Sequence, residues 1–327
     1  MSISFNDGFS VIEGNRPVCS SEAPKVSVCL CTYKRPTMLA KCLESLLNQS
    51  IERTYEIVVV DNDAAKTAEG TVEQYATAFR TRGGNLRYAV EPEQNIALAR
   101  NKAVSMATGE YIAFIDDDEE AETDWLDRLV DTLILKQSDA VFGRVVRAFP
   151  EGFPESLRRA NIFEDHRMRE SGSRIAGTGG RTSNGIVRSS VLKMRPGPFD
   201  KELGKTGGED TEFFCWLEQK GCTFSWCSEA VVNESITLER ARLRYHFRRG
   251  YSIGWVRARI ALSSRRRIQS VMRVLIGALL GSAKTIVMFL ISLPNPRAAT
   301  VRLVRGMGSQ AGKCGFLLGI CMELYRG

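Results

Sequence analysis

The chain of 327 residues is 43% hydrophobic and carries 45 Lys/Arg against 38 Asp/Glu, enough apolar material to bury one large α/β core and still carry an appendage. The net charge of +7 is unevenly spread: from Arg240 to Gly327, 17 Lys/Arg face one acid, Glu323, so that this stretch carries +16 and leaves −9 for residues 1–239. This asymmetry excludes a uniformly basic nucleic-acid binder and fits an acidic body joined to a cationic tail that rests on anionic lipid; nine scattered cysteines without a CxxC pair point to a reducing compartment, and His166 and His246 are too few for a His-rich zinc site.

Residues 1–24 read as a loose polar leader without the basic region and apolar stretch of a secretory signal. From Lys25 onward, apolar runs of strand length alternate with segments of helical period, the pattern of a parallel α/β sheet. Val26 to Cys31 reads as a strand, broken at Arg35 and Pro36 before Met38, Leu39, Leu43, Leu46 and Leu47 recur at helical spacing. Tyr55 to Val60 is a continuous apolar run, as in a strand covered on both faces, and it stops at Asp61-Asn62-Asp63. A helix through Val72, Tyr75, Ala76 and Phe79 follows, then a strand from Leu86 to Val90 and a helix from Ile96 to Ala107 closed by Gly109. The strand Tyr111 to Ile115 runs into Asp116-Asp117-Asp118-Glu119-Glu120, after which Thr123 caps a helix carrying Trp125, Leu129, Val130 and Leu133. Beyond Val146 the pattern weakens, and Phe149 to Arg181 reads as irregular loops over a site. Gly177-Thr178-Gly179-Gly180 leads to Asn184, and Gly207-Gly208-Glu209-Asp210 opens a helix through Phe213, Phe214, Trp216 and Leu217; the glycines indicate close backbone approach or mobility.

Ligands of open α/β sheets bind beyond the carboxyl ends of the strands, where this chain places Thr32, Asp61 and Asp116 to Asp118. With no Ser/His/Asp or Cys/His arrangement in view, chemistry rests on carboxylates. Hard oxygen ligands at a strand end suit Mg²⁺ or Mn²⁺ holding a diphosphate, and Asp116 and Asp118 share one side of an extended chain. The same cluster also reads as a solvated acidic turn capping the next helix. Asp210, at a helix start after two glycines, suits a general base for a hydroxyl, with Glu209 as the alternative. A plain carboxylate favoured by the helix dipole fits that position equally. Arg100 can reach a phosphate or nucleotide or stand as an exposed helical cation, Cys29 and Cys31 read as packing residues, and His246 as structural.

Taken together, Val26 to Gln49 with Thr32-Tyr33-Lys34-Arg35-Pro36, Val58-Val59-Val60-Asp61-Asn62, Asn95 to Arg100, Gly109 to Asp118 and Gly208-Glu209-Asp210 resemble family-2 glycosyltransferases of GT-A fold across residues 25–255. The resemblance implies a Rossmann-like, mostly parallel sheet that binds a nucleotide-sugar donor. Thr32, Arg35, Asp61, Asn62, Arg100, Asp116 and Asp117 would line the donor site. Asp116 and Asp118 would form the D-x-D pair for Mn²⁺ or Mg²⁺, Asp118 as direct ligand and Glu234 as a third metal-side group, and Asp210 would be the base of an inverting transfer. Within the family the chain is similar to bacterial enzymes that build succinoglycan-type exopolysaccharide on a lipid-linked or saccharide acceptor, commonly from UDP-glucose. It lacks the Gln-x-x-Arg-Trp motif of processive members, so a single addition is implied. A catalytically inactive scaffold of the same fold and a nucleotidyltransferase are the competing readings. The first is opposed by intact Asp118 and Asp210, and the second by Thr32 to Pro36 where a Gly-rich pyrophosphate loop would stand.

Residues 256–327 read as a basic, apolar helical tail. Val274 to Ile291 is mostly apolar but carries Lys284 at its middle, which costs about 3 kcal/mol at a bilayer centre. Arg265-Arg266-Arg267 and Arg273 stand before it and Arg297, Arg302 and Arg305 after it, so an interfacial helix on the cytoplasmic face of the membrane fits better than a single-pass span, which stays open, as does an ordinary helical cap of the body whose cations are solvated.

Overall fold

The computed structural model describes residues 25–160, 162–163, 169–262 and 267–323, without the side chains of 267 and 268. The expected leader, His166, Arg265, Arg266 and the side chain of Arg267 lie outside the described residues.

Strand β1 (Val26–Thr32) alternates its side chains between two cores. Val26, Val28 and Leu30 pack with Leu39, Leu43 and Leu46 of α1 (Pro36–Leu47), whereas Cys29 and Cys31 join the opposite cluster, as expected of packing residues. The chain then builds outward through β2 (Tyr55–Asp61), α2 (Glu69–Thr81) and β3 (Asn85–Val90), and returns through α3 (Ile96–Met106) to lay β4 (Tyr111–Asp116) on the other side of β1. All four strands are parallel, and β1 is therefore the point where strand order reverses, with Thr32 and Asp116 at its open end.

The remaining elements are β5 (Glu119–Ala121), α4 (Trp125–Leu135), β6 (Ala140–Ala148), α5 (Glu155–Arg159), β7 (Arg174–Ile175), β8 (Asn184–Arg188), α6 (Ser189–Leu192), α7 (Glu209–Gln219) and β9 (Phe224–Ser235). The sheet reads β3-β2-β1-β4-β8-β6-β9-β5, with β7 also on β9; β8 is antiparallel to both β4 and β6. Sequence periodicity does not reveal β6, β8 and β9. The twelve residues of β9 mix polar with apolar positions because it pairs with β5, β6 and β7, and its register with β6 shifts between Gly143 and Arg144. The cap of α4 also differs from expectation: Asp124 occupies that position without a side-chain cap bond, while the Thr123 carbonyl accepts from Ser50. Trp125 is fully buried and donates its indole N–H to Asn184 Oδ1 at 2.8 Å, and Asn184 Nδ2 donates to the carbonyls of Arg144 and Ala230, so one side chain ties β8 to β6 and β9. The glycines at 177 and 180 are needed for close approach: a Cβ on Gly177 would stand 2.5 Å from the Phe214 carbonyl oxygen.

Three helices complete the described chain: α8 (Leu243–Leu262), α9 (Arg267–Ile291) and α10 (Pro296–Leu317). The expected boundary between 255 and 256 falls inside α8. Backbones of α8 and α10 touch through glycines, since a Cβ on Gly254 would stand 1.9 Å from the Ser309 carbonyl oxygen and one on Gly312 2.0 Å from that of Tyr251. The seam is anchored to the body by Asn295 Nδ2 donating to the Ser156 carbonyl and Arg302 to that of Ala160. In contrast α9 leaves Leu279, Leu280 and Ile291 exposed.

Candidate active site

Two strand ends and one helix start converge. The Thr32 hydroxyl at the end of β1 donates to Asp117 Oδ2 at 2.8 Å, and Arg35, opening α1, donates to the other Asp117 oxygen at 3.0 Å. Asp117, buried in the turn between β4 and β5, is thereby a supporting carboxylate whose two oxygens are engaged, and burial raises its pKa against the pull of Arg35. Glu119 was not singled out by sequence, yet it is completely enclosed and accepts the Asp116 N–H at 3.0 Å, which fixes the turn that presents Asp116 and Asp118.

Asp118 is nearly buried. Burial, together with the charges of Asp116, Asp117 and Glu234, lifts its carboxyl to about 7 against the opposing pull of Arg240. Arg240 Nη2 lies 3.1 Å from Asp118 Oδ2, and its Nη1 lies 2.5 Å from Glu234 Oε1. The other Glu234 oxygen meets Arg147 Nε at 3.1 Å. Pairing of Glu119 with Glu234 across β5 and β9 brings these carboxylates together, and Ser235 N–H donates to the Asp118 carbonyl at 2.8 Å. Among the described residues no three His, Cys, Asp or Glu side chains form a closed metal cage; Arg240 stands between Glu234 and Asp118. The donor set nonetheless suits a hard divalent ion. Asp118 is a buried oxygen donor crowded by like charge, Asp116 is 38% exposed at the mouth, and a diphosphate would bring further oxygens.

Arg100 joins Asp116 at the end of β4 to Glu209 at the start of α7. The Asn95 side chain caps α3 by accepting from Ala97 and Leu98, which aims Arg100 inward. It contacts Asp116 Oδ1 at 3.2 Å and makes a short ion pair with Glu209 Oε1. The second Glu209 oxygen is buried and unpartnered. Burial raises the Glu209 carboxyl while the touching guanidinium opposes it. Burial likewise works against the Arg100 cation, but Glu209, Asp116 and Asp210 outweigh it and raise its pKa. Glu209 is thus enclosed and paired. Asp210, one residue on and only half-buried, accepts from the Thr211 N–H and hydroxyl and is the more accessible carboxylate. Gly207 and Gly208, at φ of 78° and 94°, supply the left-handed turn before it, a conformation that favours glycine.

The end of β2 is held by hydrogen bonds within the protein. Asp61 is fully enclosed, accepting from the Asp63 and Ala68 N–H groups and from the Tyr88 hydroxyl at 3.0 Å. Asn62 donates to the carbonyls of Glu91 and Glu93 and accepts from the Asn95 N–H at 2.8 Å. Both side chains hold the loop, because a carboxylate at the end of a buried strand is stable only when donors surround it. Sequence also passed over Arg240, which nothing distinguishes from the other arginines of the basic tail. His246 lies away from these carboxylates, against Phe163 and Tyr245; burial and Arg305 lower its pKa to about 4, so it is a neutral packing residue.

A Rossmann-like sheet with carboxylates at the switch point and a second carboxylate at a facing helix start defines a glycosyltransferase of GT-A fold. The family model for glycosyl transferase family 2 matches residues 27–192. The succinoglycan biosynthesis protein ExoM of Rhizobium meliloti is 31% identical over 242 residues, 73% of this chain and 76% of that protein. The chain belongs to glycosyl transferase family 2 and is a glycosyltransferase acting in glycan synthesis. Glycosyltransferase AglE of Haloferax volcanii is 31% identical over 188 residues, 56% of this chain and 59% of that protein. Among solved structures, the mannosyltransferase PcManGT of Pyrobaculum calidifontis, in complex with GDP-Man and Mn²⁺, aligns with a TM-score of 0.63 at 18% identity, covering 91% of this chain and 88% of that one. S. aureus TarS 1–349 with UDP-GlcNAc aligns at 0.55 and 17% identity, covering 90% and 92%.

Proposed function

We propose that the chain is an inverting, metal-dependent hexosyltransferase that transfers one sugar, glucose from UDP-glucose, to a lipid-linked or saccharide acceptor of an exopolysaccharide, at the cytoplasmic face of a membrane. The observation that supports this reading is the Arg100 bridge between Asp116 and Glu209, which ties the acidic turn after β4 to the helix start that carries Asp210. Asp116 and Asp118, with Glu234 behind them, would hold Mn²⁺ or Mg²⁺, and the bound ion would neutralise the departing diphosphate. Thr32 and Arg35 keep Asp117 in place beneath the donor, and Arg100 orients the donor side. Asp210 takes the proton from the acceptor hydroxyl as its oxygen bonds to the anomeric carbon. The bond from that carbon to the phosphate oxygen breaks, the nucleoside diphosphate leaves with the electron pair, and the anomeric configuration inverts.

Membrane attachment rests on α9. Its segment Gln269–Ile291 has 23 residues, and its most apolar window has a mean hydropathy of 2.2 with only 6% buried. At 1.5 Å per residue it measures about 34 Å, enough for a hydrocarbon core of about 30 Å, so length admits a span while Lys284 favours lying at the interface. The deciding experiment supplies full-length protein with UDP-glucose, other UDP-sugars and GDP-mannose, with a lipid-linked acceptor, in Mn²⁺ and in EDTA. Nucleotide release and anomeric NMR of the product are read together. Release only with UDP-glucose and Mn²⁺, and inverted product, is expected; retained configuration or undiminished release in EDTA overturns the mechanism.

A further inference from the structure

We propose that Arg240 is a resident counter-ion of the metal-side carboxylates, which gives up Asp118 when the donor arrives and then binds the donor's diphosphate. The inference rests on the reading of Asp118 as a metal-side ligand.

Arg240 sits in the short 3₁₀ turn Leu238–Ala241 that links β9 to α8. Its guanidinium spans two carboxylates, at 2.5 Å to Glu234 and 3.1 Å to Asp118. The two contacts are not equivalent. Glu234 holds a second arginine, Arg147, on its other oxygen, so the Arg240 to Glu234 contact belongs to a paired cluster in which the acid is doubly matched. Asp118 depends on Arg240 and on a longer contact of 3.5 Å to Arg35. Both arginine contacts fall on Asp118 Oδ2, and a guanidinium beside that carboxylate repels a divalent ion at either of its oxygens. Entry of the ion therefore favours release of Asp118 by Arg240.

The backbone makes the release a matter of side-chain rotation. Ser235 N–H holds the Asp118 carbonyl, and the Ile236 N–H donates to the Ala148 carbonyl at 2.9 Å, so the end of β9 is fixed on both sides. With Nη1 kept on Glu234, the remaining donors of the planar fork are free to turn. A diphosphate oxygen can accept from the Nη2 group that Asp118 gives up. The residue thus exchanges one anion for another and adds a positive charge where the leaving group gathers negative charge.

Removing the guanidinium should move two equilibria in opposite directions. Full-length Arg240→Met and Arg240→Lys are compared with wild type by Mn²⁺ paramagnetic resonance without nucleotide, and by calorimetric UDP titration at saturating Mn²⁺. Arg240→Met should bind free Mn²⁺ more tightly, by about threefold or more, because a competing cation is gone. It should bind UDP more weakly by about tenfold, the worth of one charge-assisted hydrogen bond. Arg240→Lys should recover part of the UDP affinity. Should the Met variant fail to fold, as judged by thermal denaturation, the Lys variant alone decides, since loss of the bidentate fork must weaken UDP. Wild-type protein that takes up Mn²⁺ alongside variants with unchanged Mn²⁺ and UDP affinities overturns the role of Arg240. Wild-type protein that takes up no Mn²⁺ even with UDP present overturns the metal-side reading together with it.

Discussion

Replacing Arg100 by methionine should destabilise the protein in a pH-dependent way that identifies Glu209 as its buried charge partner. The two side chains are 11% and 3% exposed, and the second Glu209 oxygen has no hydrogen bond, so Arg100→Met leaves a carboxylate with no compensation. Removing one member of a buried pair costs about 3–5 kcal/mol. Asp116, the other partner, is 38% exposed and adds at most about 1 kcal/mol. In a body of this size the melting temperature should fall by on the order of 10 °C at pH 8. Burial already raises the Glu209 carboxyl to about 7 beside Arg100, and without that cation it rises further. The extra penalty of the variant is therefore absent near pH 5, where the carboxyl is protonated in both folded proteins, and grows above about pH 7, where the wild-type carboxyl ionises and the variant's does not. Thermal denaturation of wild type, Arg100→Met and the double variant Arg100→Met/Glu209→Gln at pH 5 and pH 8 reads this out. The single variant should lose far more at pH 8 than at pH 5, and the double variant should recover much of the loss and show little pH dependence. A loss equal at both pH values, or no recovery with Gln at 209, refutes the pairing argument.

Asp118→Ala should abolish the dependence of UDP affinity on Mn²⁺, so that calorimetry returns the same weak binding with the ion and with EDTA. Asp210→Asn should lower turnover by about 10²–10⁴-fold with UDP affinity within a few-fold of wild type, measured by nucleotide release beside calorimetry; unimpaired turnover would move the proton transfer to Glu209. Leu279→Asp with Leu280→Asp, on the exposed face of α9, should prevent flotation with anionic vesicles while nucleotide binding persists; equal flotation would give α9 another purpose.

The parallel half of the sheet was readable in sequence because β1, β2 and β4 are apolar runs, broken only by Ser27 and Glu56, that end abruptly in Thr32, Asp61 and Asp116. The antiparallel half was not. β9 is only half covered, and its pattern reflects three different neighbours rather than one period. The acidic positions were equally visible, but their use was not. Whether a carboxylate faces a ligand or a neighbouring N–H depends on donors such as Tyr88 and Ala68 that share no motif with Asp61. Arg240 and Asp118 are 122 positions apart, and only pairing of β5 with β9 brings them together.

The tail is not a detachable tether. Val256 of α8 fills the space beside Gly208, where a Cβ would stand 2.4 Å from its methyl group, and the Ser252 hydroxyl donates to the Thr206 carbonyl at 2.6 Å. The turn that delivers Asp210 therefore leans on the same helix that α10 clasps through glycines. Chimeras built to redirect this enzyme to another surface must be spliced ahead of α8, near Arg242, or must transplant α8 and α10 as a unit. A junction at 255 would cut a brace of the candidate site and yield a folded sheet with a misplaced Asp210.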